Sequence, residues 1–97
     1  MAKHEITIGD KTLPVAPASL KTIKRWLKAQ QEVRVGTLEY MDELSEFIYA
    51  ALARATPDLD RDWLEGHLDE TNIPLVISKV YEAGKLQSGE VTGRQEG

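Results

Sequence analysis

The chain has 97 residues, of which 41% are hydrophobic and 29% charged, a size and balance that fit one small globular domain rather than a fibrous or disordered chain. Cysteine is absent, so disulfides, thiolate chemistry and cysteine-ligated zinc are excluded. Twelve basic residues against sixteen acidic ones leave a net charge of −4, a poor basis for holding phosphate backbones. That total hides an asymmetry. Residues 1–34 carry seven basic side chains against three acids, and residues 39–70 carry ten acids against Arg54 and Arg61. A split of this kind makes a molecular dipole that steers association and favours head-to-tail contact between copies. No apolar run approaches the ~20 residues a bilayer span needs, and no apolar h-region follows Met1.

HEITI at 4–8 alternates polar and apolar residues in the manner of a half-buried strand, and KTLPV at 11–15 can pair back on it. Gly9-Asp10 supplies a two-residue turn, and Pro14, with no amide proton, puts the second strand at an edge. Ser19 is placed to cap a helix over about 20–30. At about 100° per residue, Leu20, Ile23 and Leu27 share one side of it as an apolar stripe. Lys21, Lys24, Arg25 and Lys28 cluster nearly opposite, with Trp26 half available on the flank.

QQEVRVG at 30–36 breaks the period and is expected to connect. Thr37 then caps the longest helix, about 38–55, with Glu39, Asp42, Glu43 and Glu46 toward its positive dipole end. Its apolar residues, from Leu38, Tyr40 and Met41 through Phe47 to Ala55, cover an arc wider than the ~100° that one core contact uses. Part of that arc is expected to meet a second surface, either another helix of the chain or a partner. Tyr49 projects on the acidic side and is expected to be an exposed aromatic.

Pro57 ends the long helix, and Asp58 or Asp60 can cap a short one holding Trp63, Leu64 and Leu68. Thr71-Asn72 restarts the chain into a helix near 73–83, with Pro74 in its first turn, a shared face of Ile73, Val76, Ile77, Val80 and Ala83, and Gly84 as terminator. The fold expected is α+β: an N-terminal two-stranded hairpin followed by about four helices. Residues 1–84 form the single domain and 85–97 a disordered tail.

Chemistry is sparse. His4 and His67 have no companion ligand at i+3 or i+4, so no metal is expected there. Asp58, Asp60 and Asp62 match the opening of a calcium loop, but Trp63 stands where the turn needs Gly and Asp69 where it needs Glu. The chain has no glycine-rich phosphate loop and no nucleophile elbow, so neither a cofactor nor an enzymatic activity is expected. SLKTIKRWLK at 19–28 has the spacing of a DNA recognition helix, yet the element before it is a hairpin rather than a second helix, and much of the remaining chain is acidic. A small DNA-binding regulator is the alternative reading, and a generic prophage interaction domain is another.

Several segments, in order, carry a resemblance. A strand pair ITIGDKTLPV precedes SLKTIKRW; a long amphipathic helix ends in ALARATPDLD; and DLDRDWLEGHLDETNIPLVISKVYEAG runs from a Pro-Asp-Leu break to a closing Gly. Over residues 5–84 the chain resembles the tail assembly chaperones of long-tailed bacteriophages, the small products encoded upstream of the tape-measure protein. The resemblance implies a non-catalytic protein that coats the tape-measure protein in the host cytoplasm until tail-tube subunits polymerise around it. It implies a short form whose frameshifted product would extend beyond Gly84, with the major tail-tube protein as a further partner. Neither nucleic acid nor membrane is an expected partner. Self-association is expected, with Lys21, Lys24, Arg25 and Lys28 of one copy facing Asp58, Asp60, Asp62 and Glu65 of another. Trp26, Tyr40, Phe47 and Tyr49 complete the expected partner-binding set.

Overall fold

The computed structural model describes residues 4–93, with side chains as far as residue 84. Its elements are β1 (Glu5–Ile8), β2 (Lys11–Pro14), α1 (Leu20–Glu32), α2 (Leu38–Ala53), α3 (Arg61–His67) and α4 (Ile73–Gly93). This is the expected hairpin followed by four helices. The strands are antiparallel, pairing Ile8 with Lys11 across the turn and Ile6 with Leu13. Gly9 has φ +63° while Asp10 stays at negative φ, the sign pattern of a type II′ turn. Ile6, Ile8 and Leu13 lie on the inner face, and Ile8 is fully buried.

Local chemistry sets the helix starts. The hydroxyls of Ser19 and Thr37 accept the amides of Thr22 and Tyr40 at 3.2 Å each, capping α1 and α2. Asp60 rather than Asp58 caps α3, its carboxylate accepting the Asp62 amide at 3.1 Å. Ahead of α4, Asp69 accepts the Thr71 and Asn72 amides, and Asn72 donates its side-chain amide to the His67 carbonyl at 2.8 Å. These bonds occupy backbone groups that a helix end otherwise leaves unpaired.

α2 is the hub, touching α1, α3 and α4, while α4 also reaches β1. The core gathers Leu44, Phe47, Ile48, Ala51 and Leu52 of α2 with Leu64 of α3 and Val76, Val80 and Ala83 of α4. The over-wide arc of α2 thus finds its second surface largely inside the chain. The hairpin closes on α3, where the His67 ring lies against Gly9 and the Lys11 ammonium sits 4.7 Å from the Trp63 ring centre.

Two expectations are corrected. On α1 the face turned to the core is Trp26 and Ala29, 3% and 5% exposed, whereas Leu20 and Leu27 are 72% and 48% exposed. Thr22, Trp26, Ala29 and Val33 form a rival stripe at helical spacing, and the indole has the largest apolar surface to bury of any side chain on the helix. It stacks on Phe47 with centroids 5.1 Å apart and also meets Tyr40 at 5.7 Å. The second correction concerns α4, which passes through Gly84 and runs to Gly93. Gly84 is not at positive φ, so it makes no left-handed cap, and a glycine inside a helix costs about 1 kcal/mol without ending it. The tail expected from residue 85 is therefore helical backbone to Gly93, and residues 94–97 lie outside the described residues.

Candidate protein-docking surface

Helix geometry places Leu20, Ile23 and Leu27 at i, i+3 and i+7, a stripe about 10 Å long on the flank of α1. Ile23 is part-buried and the two leucines look outward. Lys24 and Lys28 border the solvent side of the stripe, with Lys21 on the same exposed half of the helix. Single exposed leucines are ordinary, but together they are informative, because a stripe at helical spacing matches the apolar face of another helix.

The opposite flank of α1 is closed by ions. Arg25 grips Glu43 through two bonds of 2.8 and 3.1 Å and approaches Glu46 at 3.8 Å. Glu46 also takes Arg61 at 2.8 Å, and Arg61 in turn lies 3.5 Å from Glu65, which accepts a hydrogen bond from Ser45. Hydrogen bonding from Arg25, partly opposed by desolvation and aided by the guanidinium charge, holds the Glu43 carboxyl below the usual carboxylate range. The same hydrogen bond raises the Arg25 guanidinium. Between these ions and the Trp26–Phe47 stack lies a cleft of about 140 Å³, bordered also by Lys21 and Thr22. Arg25, Glu43 and Glu46 are paired with one another there, while Lys21 stands outside that ion-pair network.

The expected partner-binding residues separate into three groups. Lys21, Lys24 and Lys28 on α1 and Asp58, Asp60 and Asp62 before and within α3 are exposed. Arg25 and Glu65 are engaged in ion pairs inside the chain, so a contact of either with another copy competes with those pairs. Trp26 and Phe47 are core residues and leave the docking set, since a rigid surface cannot present them. Tyr40 packs on Trp26, and Tyr49 is part-buried under the Arg61 guanidinium, 5.6 Å from its ring centre, rather than projecting into solvent.

A second open patch is the part of the over-wide α2 arc that the chain itself does not cover. The N-terminal end of α2 exposes Leu38 (77%) and Met41 (46%), with exposed Val35 in the turn before it. Glu39 and Asp42 stand beside them, both exposed. The sequence signal was present, for these residues belong to the part of the α2 arc that lies beyond the reach of α3 and α4. Among the described residues no helix is long and apolar enough to cross a membrane. No protein-family model, curated protein or solved structure matches the chain.

Proposed function

We propose that the protein is a tail assembly chaperone of a long-tailed bacteriophage, which binds helical segments of the tape-measure protein non-covalently and keeps them soluble in the host cytoplasm. The observation that supports this reading is the outward α1 stripe of Leu20, Ile23 and Leu27, edged by lysines. A client helix laid along it covers apolar surface on both sides, while Lys24 and Lys28 keep the complex charged and in solution.

The strength fits a holding role. Covering one leucine is worth about 1.5–3 kcal/mol, and association itself costs several kcal/mol in lost freedom. One copy therefore grips weakly, and many copies along a long client grip firmly through multiplicity. Tail-tube subunits can then displace the coat one contact at a time.

Co-expression with a tape-measure protein tests this. The soluble fraction of the client should rise with the wild-type chain and fall back with the double variant Leu20→Glu/Leu27→Glu, whose substitutions sit at exposed positions and leave the core intact. A client equally insoluble with and without the wild-type chain overturns the reading.

A further inference from the structure

We propose that, when no client is bound, the α1 stripe of one copy is covered by the N-terminal end of α2 from a second copy, so that client and second copy compete for the same surface. The competition rests on the function proposed above; the contact between copies does not.

Two uncovered apolar patches lie on this chain, and their borders have opposite charge. Around Leu20 and Leu27 stand Lys21, Lys24 and Lys28, with no acid between residues 20 and 31. Around Leu38 and Met41 stand Glu39 and Asp42, with no basic residue between 35 and 53. Among the described residues none of these five charges makes an ion pair, in contrast to Arg25, Glu43, Glu46, Arg61 and Glu65, which are tied into one network. That network joins exposed and part-buried side chains along the α1–α2–α3 seam, and the charges beside the open leucines lie outside it, as do Asp58, Asp60 and Asp62. A flat stripe of about 10 Å accepts the one-turn knob of Leu38 and Met41, and the lysines then meet the two carboxylates.

The two patches differ, so the contact is heterologous. Each copy donates its α2 end to one neighbour and its α1 stripe to the other, giving a ring or an open row. Like-charged borders oppose stripe-on-stripe and knob-on-knob contacts, which sets the polarity. A client helix arriving at the stripe displaces the neighbour's α2 end, covering the stripe and freeing Leu38 and Met41 of the displaced copy.

Sedimentation velocity on the full chain over a concentration series reads the contact without any client. The wild type should form higher species at low salt that dissociate toward monomer at about 0.5 M salt, where charge borders are screened. Lys24→Glu/Lys28→Glu and Glu39→Lys/Asp42→Lys should each weaken association at least about tenfold. Mixing the two variants should restore it, because each then meets a complementary border on the other. All four positions are exposed, and far-ultraviolet circular dichroism confirms the fold of each variant. A monomeric wild type, a variant that associates as the wild type does, or a mixture that fails to recover overturns the contact.

A second arm separates this proposal from the chaperone reading. Met41→Glu should abolish association and still keep co-expressed tape-measure protein soluble. Loss of client solubility with Met41→Glu places the client on the α2 patch and overturns the assignment of that patch to a second copy. Failure of the wild type to solubilise the client removes the chaperone reading and the competition, and leaves the contact to be judged on sedimentation alone.

Discussion

Trp26 is 3% exposed and its neighbour Leu27 is 48% exposed, so adjacent residues on α1 do opposite work. The indole is fixed between Phe47 and Tyr40, and removing it leaves a cavity that the stacked ring of Phe47 cannot fill. Trp26→Ala should lower the free energy of unfolding by about 3–5 kcal/mol in urea titration. Leu27→Ala should change it by no more than about 0.5–1 kcal/mol, because the side chain it shortens is 48% exposed and leaves no enclosed cavity. The reverse order would turn α1 over and put the stripe inside. Gly9 carries a different constraint. Its φ of +63° suits glycine, and a Cβ there would lie 2.6 Å from the His67 ring, which is itself stacked on Trp63 and bonded through Nδ1 to the Trp63 carbonyl at 2.9 Å. Gly9→Ala should destabilise by about 2 kcal/mol or more in the same titration. Gly66→Ala, in open space within α3, should stabilise by up to about 1 kcal/mol.

Elements differ in how far their own residues determine them. The hairpin and the starts of α1, α2 and α3 follow from Gly9, Ser19, Thr37 and Asp60, each acting on backbone within three residues of itself, and these are legible in the sequence for that reason. The facing of α1 is not local. Two stripes compete on it, and the choice depends on Phe47 and Tyr40 lying across from Trp26, on a helix whose position no local rule supplies. The open patch was obscured by the same uncertainty: Leu20, Ile23 and Leu27 were visible as a stripe, and only packing shows that it turns outward. The course of α4 past Gly84 belongs here too. Glycine caps a helix only when the backbone turns left-handed, and Gly84 stays right-handed with Pro17 at van der Waals distance from where its Cβ would be. Tyr49 looked like a free aromatic because Arg61, which covers it, arrives from α3.

At the scale of the whole molecule, basic and acidic halves of the sequence fold into a body whose ion pairs close one flank of the α1–α2 seam and leave the other flank apolar and open. The central claim is that this open flank of α1 is the gripping surface. The absence of cysteine allows a direct measurement, since Leu27→Cys and the control Ala55→Cys each introduce one thiol at an exposed position. Maleimide labelling rates would be compared for dilute chain alone and for chain in complex with tape-measure protein. The account predicts that the thiol at position 27 is labelled readily in the chain alone and at least about tenfold more slowly in the complex, while the thiol at position 55 keeps its rate. Equal labelling of position 27 in both states, in a complex shown to be intact, would contradict it.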